Sequence, residues 1–313
     1  MPKVSVIIPV YGVEKYIERC ARSLFEQTLD DIEYLFINDC TTDKSVEILN
    51  AVLDEYPNRK KQVIIHRMNK NSGQAAVRKW GMQNATGEYV IHCDSDDWLD
   101  IDLYELMYTK AANLNADIVY SDFKTSDGKR ETLISQGHYD DKISLLHSTL
   151  NEKNYWSLWN KLVKRSIYNT SDFIYPINNM GEDLAIFLQI LILSETISPL
   201  NADSYYYYYQ NTTSLTRTKS KESVIKRFEQ ACANLEIAES FAVNRGYESS
   251  IFLYLKNKER NILETCIDDK EMFHLWLNRF PSINCNLLFS SQISLKYKIH
   301  FFKILLTNLR FWF

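Results

Sequence analysis

The sequence is poor in residues that break regular structure, with eight glycines and six prolines among 313 residues. This scarcity argues against a disordered or collagen-like chain. The six cysteines are widely spaced and form no CxxC pair, so neither a zinc site nor a disulfide framework is expected. No apolar leader precedes the first strand pattern, and no apolar run approaches the ~20 residues that span a bilayer. We therefore expect a folded cytoplasmic protein with reduced thiols.

Acidic residues are absent after Glu271, whereas five basic residues follow it. The whole chain carries a net charge of −4, so its body is acidic and no nucleic-acid partner is expected. Within 296–313 the basic side chains recur every three or four positions among Ile, Leu, Phe and Trp. Such a helix either makes peripheral contact with a membrane, at the cytoplasmic face of the inner membrane, or packs its apolar face on the protein. The sequence leaves both alternatives open.

Strand and helix patterns alternate through about the first 120 residues. Short apolar runs predict buried strands at Val4–Ile8, Tyr34–Ile37, Val63–Ile65 and Tyr89–Ile91. This order predicts right-handed βαβ crossovers and a mostly parallel sheet with helices on both faces. Beyond it, Asp122–Gln136 predicts a polar loop, and residues 222–280 predict helices. We expect a catalytic domain over residues 1–217 and an α-helical C-terminal region over residues 218–313.

Polar residues follow three of these strands, at Pro9-Val10-Tyr11, Asn38-Asp39 and Cys93-Asp94. The carboxyl ends of parallel strands share one edge of a sheet, where α/β proteins bind ligands, so the three clusters should face one crevice. The third cluster continues as Asp94-Ser95-Asp96-Asp97, with three carboxylates in four positions. Such crowding needs a cation or strong hydrogen bonding, and carboxylates suit Mg²⁺ or Mn²⁺ shared with substrate phosphates. The alternative is an Asp-rich helix cap.

Several segments, in this order, resemble blocks of the family 2 glycosyltransferases, which have the GT-A fold. The segments are Ser5–Tyr11, Ile37–Asp43, Asn71–Arg78, Gly87–Asp97, Trp159–Arg165 and Gly181–Asp183. The resemblance covers about residues 3–217, and its last two blocks are similar to bacterial surface-polysaccharide members. It implies a Rossmann-like, mostly parallel GT-A sheet. It also implies sugar transfer from a nucleotide-sugar donor, most commonly a UDP-sugar, to a saccharide or lipid-linked acceptor.

The resemblance further implies residue roles. The donor would lie against Pro9, Tyr11, Asp39, Arg78, Asp94, Ser95 and Arg217. Tyr11 would stack on the base, and Asp39 would accept a hydrogen bond from the base or ribose. Asp96 would bind the Mn²⁺ or Mg²⁺ ion that neutralises the departing diphosphate. Asp183, at the start of a helix, would be the general base of an inverting displacement, the alternative being that it only complements the helix dipole.

One departure and two competing functions accompany this interpretation. Cys40 stands where the family usually has glycine, and the backbone shape that glycine permits is costlier for cysteine. A magnesium-dependent phosphatase of the haloacid dehalogenase type also has a strand-end DxD. That type needs a nucleophilic Asp after an early strand, with a Thr or Val following the motif, whereas here the motif begins only at Asp94 and Trp98 follows it. A non-catalytic nucleotide-binding module would keep the crevice without turnover, and the intact acidic residues argue against it.

Overall fold

Alternating apolar runs and amphipathic segments build a large sheet in the first two thirds of the chain. The computed structural model describes residues 1–139, 141–210, 220–289, 294–308 and 311. The strands within these residues are β1 Val4–Val10, β2 Ile32–Asn38, β3 Val63–Arg67, β4 Tyr89–His92, β5 Trp98–Leu99, β6 Ile118–Ser121, β7 Phe123–Ser126, β8 Glu131–Ile134, β9 Lys161–Lys164, β10 Ile197–Leu200 and β11 Tyr205–Tyr208. The helices are α1 Ile17–Phe25, α2 Ser45–Asp54, α3 Gln74–Asn84, α4 Leu103–Leu114, α5 Lys142–Leu150, α6 Glu182–Leu193, α7 Lys221–Val243, α8 Leu253–Arg260, α9 Lys270–Asn278, α10 Pro281–Phe289 and α11 Leu295–Thr307.

The large sheet has the strand order β10-β6-β9-β4-β1-β2-β3. β1 runs parallel to both of its neighbours, β2 and β4, and β2 runs parallel to β3. Successive side chains of β1 and β2 are almost all buried, as expected for strands that are covered on both faces. β9 is antiparallel to both β4 and β6. The predicted α/β class, with a mostly parallel sheet, flanking helices and a helical C-terminal region, is confirmed.

A second, smaller sheet has the order β5-β11-β7-β8, and it shows that the loop predicted at Asp122–Gln136 is wrong. β7 and β8 form an antiparallel hairpin. The Asp127 carboxylate accepts hydrogen bonds from two main-chain N–H groups of the intervening turn. The hairpin escaped prediction because the side chains of β8 are mostly exposed, so the segment lacks the apolar alternation of a half-buried strand.

The carboxyl edge of the parallel strands gathers the polar clusters. Tyr11, Asp39 and Asp94 lie there because they follow the ends of β1, β2 and β4. Pro9 lies within β1, and its missing N–H costs no ladder bond with β4 because that pairing ends two residues earlier. β9 is antiparallel to β4, so its amino end, at Lys161, lies at this same edge. Residues that precede Lys161 therefore lie near the same edge, although they come before a strand and not after one.

Two compact units divide the chain: Met1–Ile177 with Ile186–Ser214, and Asn178–Ala185 with Leu215–Phe313. The first unit contains both sheets, and its core includes β1, β2, α1 and α4. In the second unit, helices surround the buried rings of Phe273 and Trp276. The Arg260 guanidinium lies 4.2 Å from the centroid of the Trp276 ring, and burial lowers the pKa of Arg260 to about 9. A domain boundary at residue 217 stays a prediction.

α11 has two different faces. Phe301 and Ile304 are buried in the core of the second unit. The opposite face exposes four apolar side chains at spacings of four, three and four, namely Leu295, Ile299, Phe302 and Leu306. Among the helices in the described part of the chain, none combines the length and apolar character needed to cross a membrane.

Cys40 adopts a left-handed backbone conformation, with φ of 59°. Its Sγ donates a hydrogen bond to the main-chain oxygen of Met68 at 3.0 Å. One residue earlier, Asp39 donates its N–H to the carbonyl of Val10, so the turn is tied to the end of β1. A non-glycine residue in this region is disfavoured by roughly 1–2 kcal/mol. The backbone thus gives the physical reason for a glycine at this position.

We expect Cys40→Gly to be more stable than Cys40→Ala by about 1 kcal/mol. Both variants lose the Sγ hydrogen bond, so the difference between them isolates the left-handed backbone. Urea unfolding monitored by circular dichroism measures both free energies. The matched pair is Gln83→Gly and Gln83→Ala, on the exposed side of α3, where Ala should be the more stable by about 1 kcal/mol. The strain assignment would be wrong if Ala were also the more stable residue at position 40.

Candidate active site

Tyr11 and Asp39 occupy the β1 and β2 end of the crevice. Tyr11 is 55% exposed, so it is not a core aromatic residue and its ring is accessible. Asp39 is buried, and its two carboxylate oxygens accept hydrogen bonds from the N–H groups of Ser72 at 2.7 Å and Gly73 at 2.8 Å. The carboxylate therefore complements the amino end of α3 and retains further lone pairs. Contact of Tyr11 and Asp39 with a donor stays a prediction.

Arg78 pairs with Asp94. The Arg78 side chain is buried on α3, and its Nη2 lies 2.9 Å from Asp94 Oδ1. The ion pair fixes the orientation of the Asp94 carboxylate. Arg78 thus positions the first carboxylate of the cluster, and its contact with the donor stays a prediction. Ser95, the next residue along the chain, is buried.

Asp97 is the buried anchor of the acidic cluster. Its Oδ2 accepts a hydrogen bond from the Tyr205 hydroxyl at 2.7 Å, and its Oδ1 accepts one from the Tyr208 N–H at 2.7 Å. The Tyr205 hydroxyl in turn accepts a hydrogen bond from the Asp94 N–H at 3.2 Å. Burial raises the pKa of Asp97, and the nearby carboxylates of Asp96 and Asp94 raise it further. The cluster is therefore fastened to β11 by its third carboxylate.

Arg19 supports the cluster from α1. Its Nη2 donates a hydrogen bond to the main-chain oxygen of Asp96 at 3.1 Å. The guanidinium carbon lies 3.5 Å from the centroid of the Trp98 ring and 5.0 Å from that of Tyr208. Such cation–π contacts stabilise a partly desolvated arginine. Partial burial lowers the pKa of Arg19, although nearby acidic groups oppose this effect.

Asp96 is the carboxylate of the cluster for which the sequence predicts a metal ion, and its side chain is partly exposed. In the described part of the chain, no three His, Cys, Asp or Glu side chains are grouped so as to hold a metal ion by themselves. Mg²⁺ commonly binds one or two carboxylates, keeps several waters and takes other oxygen ligands from substrate phosphates. The donor set fits a cation shared with a diphosphate, and the metal role of Asp96 stays a prediction.

The remaining predicted site residues are Asp183 and Arg217. Asp183 is in the first turn of α6, where its Oδ1 accepts a hydrogen bond from the N–H of Leu184 at 2.8 Å. Residues Asn178–Ala185 belong to the second compact unit. The Asp183 carboxylate also suits the positive end of the helix dipole, so this contact alone does not make it a base. Arg217 lies outside the described residues.

Sequence reasoning missed the aromatic residues around the cluster. Tyr205 lies 108 positions from Asp97, and the pairing that joins them has no local signature. The ring of Trp98 stacks on that of Tyr206, with centroids 5.2 Å apart and an angle of 6°. The run of five tyrosines from Tyr205 was visible as an unusual pattern. Tyrosine is enriched in β-strands, so this run could have predicted β11.

Residues 5–182 match the family described as glycosyl transferase family 2. This match covers more than half of the chain, which therefore belongs to that family. Glycosyltransferase GlyA of Streptococcus pneumoniae is 34% identical over 215 residues, or 65% of this chain and 30% of GlyA. The cholesterol galactosyltransferase of Borreliella burgdorferi is 26% identical over 306 residues, or 90% of this chain and 82% of that protein. The aligned region thus spans less than a third of GlyA.

The fold is similar to that of S. aureus TarS residues 1–349, solved in complex with UDP-GlcNAc. The TM-score is 0.66 at 20% sequence identity, and the alignment covers 97% of this chain and 79% of the TarS chain. At this identity the similarity establishes the architecture, which is GT-A.

We expect Tyr205→Phe to lower the free energy of unfolding by about 1.5–3 kcal/mol, because it removes a hydrogen bond to the buried Asp97 carboxylate. Urea unfolding measures the change. Tyr207→Phe is the matched control on the same strand. Within the described residues the Tyr207 hydroxyl has no hydrogen-bonding partner, so its loss should change stability by about 0.5 kcal/mol or less. Equal stability of the two variants would contradict the anchoring role of Tyr205.

Proposed function

We propose that this protein is an inverting glycosyltransferase. It transfers a sugar from a nucleoside diphosphate donor, a UDP-sugar, to a hydroxyl of a saccharide or lipid-linked acceptor in cell-surface polysaccharide synthesis. The observation that carries the proposal is the row of Tyr11, Asp39 and Asp94 at the carboxyl ends of adjacent strands, followed by Asp96. Together these side chains provide a ring for a base, an acceptor for a ribose and carboxylates for a metal–diphosphate group.

The donor lies along this row. The exposed face of Tyr11 stacks on the base, and Asp39 accepts a hydrogen bond from the base or ribose. Asp94, oriented by Arg78, approaches the ribose or the sugar. Asp96 would hold a Mg²⁺ or Mn²⁺ ion, which when bound would supply Lewis-acid stabilisation of the departing diphosphate. The UDP-GlcNAc complex of TarS, which shares the fold, supports a UDP-sugar as the donor.

Asp183 is the general base in this proposal. Its carboxylate takes the proton of the acceptor hydroxyl while that oxygen attacks the anomeric carbon from the face opposite the diphosphate. The C–O bond to the acceptor forms as the bond to the diphosphate breaks, so one displacement inverts the anomeric configuration. The position of Asp183 at the amino end of α6 favours the ionised carboxylate that a base requires.

The nature of the acceptor draws support from the relatives and from α11. The Borreliella relative is named for transfer to cholesterol, a lipid. The exposed apolar stripe of α11 is flanked by the basic residues Lys296, Lys298 and Lys303. Apolar side chains beside cationic ones suit the surface of an anionic membrane. We therefore extend the proposal to peripheral contact of α11 with the cytoplasmic face of the membrane that carries the acceptor.

The competing functions differ in their products. Membership of glycosyl transferase family 2 argues against the haloacid dehalogenase phosphatase, which would release inorganic phosphate. A nucleotide-binding module would bind UDP but release nothing from a UDP-sugar. Release of UDP that depends on metal and acceptor distinguishes the transferase from both.

We expect UDP with Mn²⁺ to raise the melting temperature of the wild-type protein, and Asp96→Asn to remove the part of this shift that depends on Mn²⁺. A ligand at one hundred times its Kd stabilises the native state by about 2.7 kcal/mol, which differential scanning fluorimetry detects readily. Asp102→Asn, an exposed aspartate near the start of α4, is the matched control and should keep the whole shift. An equal Mn²⁺-dependent shift in wild type and Asp96→Asn would refute the metal assignment, and a shift with GDP but not UDP would change the donor.

We expect Asp183→Asn to lower the rate of UDP release from UDP-GlcNAc by about 10²–10⁴-fold, which is the usual contribution of a general base. The rate is measured in the presence of membranes that contain the lipid-linked acceptor. The UDP-induced melting shift should remain, because the base does not hold the donor. Glu182→Gln is the comparison at the neighbouring position of the same turn. Equal, small effects of both variants would indicate a helix-dipole role, and a large loss in Glu182→Gln alone would move the base to Glu182.

A further inference from the structure

A second group of aromatic rings comes from β7, from β11 and from the segment that precedes β9. The Trp159 ring is nearly parallel to those of Tyr205 and Tyr207, with centroids 4.4 Å and 5.9 Å apart and angles of 9° and 8°. Phe123 contacts Trp159 and Tyr155 edge-on, with centroids 4.6 Å and 5.1 Å away. Phe123, Trp159 and Tyr205 are buried, whereas Tyr155 is 51% and Tyr207 is 36% exposed. Buried rings thus support two exposed ones.

The position of these rings follows from the strand order. β9 lies next to β4 on the side away from β1, and its amino end is at the carboxyl edge of β4. Tyr155 and Trp159 precede this end, so they lie beyond Asp94 along the edge, on the side opposite Tyr11. Nearby charges agree with this placement, because Asp97, Asp94 and Asp96 act on the hydroxyl of Tyr207. Burial, together with these carboxylates and Tyr155, raises the pKa of Tyr207 to about 12.

The turn that carries Tyr155 is held by a buried lysine. The Lys161 Nζ donates hydrogen bonds to the main-chain oxygens of Tyr155 at 2.9 Å and Ser157 at 2.7 Å, and to Asn160 Oδ1 at 2.7 Å. The Asn160 amide donates to the main-chain oxygen of Ser121 at 2.8 Å, which ties the turn to the end of β6. A ring on so constrained a turn loses little conformational entropy when it binds a ligand. Tyr155 is therefore exposed and is carried by a turn that is already fixed before a ligand binds.

We propose that Tyr155 and Tyr207 form a platform on which a pyranose ring of a saccharide acceptor stacks. The inference rests on the proposed function, and it names a glycan as the substrate bound beyond the acidic cluster. An exposed aromatic face suits the apolar C–H face of a sugar, and a phenol hydroxyl can donate a hydrogen bond to a sugar hydroxyl. A nucleotide base is less suited to this position. In the proposed function the base stacks on Tyr11, which lies on the other side of the carboxylates that bind the metal and the diphosphate.

Saturation-transfer difference NMR with cellobiose and N,N′-diacetylchitobiose tests the platform, with and without UDP and Mn²⁺. Wild type should transfer saturation to the ring protons of at least one disaccharide. Tyr155→Ala and Tyr207→Ala should each weaken this binding by roughly tenfold, because each removes an aromatic face on which a ring can stack. Tyr155→Phe and Tyr207→Phe retain the rings, so they should bind within about threefold of wild type, the residual loss reflecting the hydroxyls alone.

The affinities of UDP and UDP-GlcNAc, measured by calorimetry, distinguish the two sources of sugar. For an acceptor platform, both alanine variants bind UDP and UDP-GlcNAc as wild type does, which also shows that they are folded. A selective loss of UDP-GlcNAc affinity would place the donor sugar on these rings and overturn the acceptor assignment. Disaccharide binding that is absent in wild type, or unchanged in the alanine variants, would overturn the platform. Failure of UDP binding in wild type would instead refute the proposed donor, since the disaccharide measurement does not require it.

Discussion

The buried carboxylate of Asp97 is the constraint on which the site depends. A carboxylate in this position is costly to bury unless hydrogen bonds compensate for the lost hydration. Tyr205 and the N–H of Tyr208 supply that compensation, and both belong to β11. The loop after β4 is therefore placed by a strand from a different sheet, far along the chain. Two carboxylates remain at the mouth of the crevice because the third is held inside.

Three chemically identical side chains acquire different properties from their neighbours. Asp94 has a buried guanidinium beside it, Asp97 has a phenol and a main-chain N–H, and the main chain of Asp96 is held by Arg19. Each partner comes from a different element, namely α3, β11 and α1. The repulsion expected among these three carboxylates is thus reduced mostly by their partners within the fold. A cation that is shared with a substrate diphosphate commonly takes one or two protein carboxylates.

Local signals in the sequence predicted most of the sheet edge that is formed by β1, β2 and β4. The apolar runs of β1, β2 and β4 and the polar residues after them are contiguous, so periodicity and strand-end position suffice to align Tyr11, Asp39 and Asp94. The other half depends on partners distant in sequence. β8 has exposed side chains, and the register of β11 is fixed by contacts that periodicity does not encode. The ion pair between Arg78 and Asp94 is a further contact that periodicity does not encode, and the predicted contacts of both residues with the donor stay predictions.

The antiparallel direction of β9 has a consequence for how such proteins diversify. β6 ends at the ligand edge with Ser121, and β9 begins at that same edge with Lys161. The intervening segment, which holds the β7–β8 hairpin, α5 and Tyr155, leaves and re-enters the sheet at one point. Because β7 pairs with β11, the part of this segment that follows the hairpin can change in length and composition without disturbing the strand that holds Asp97. In the proposed enzyme, such changes would alter the surface offered to the acceptor while β1 and β4 stay in place.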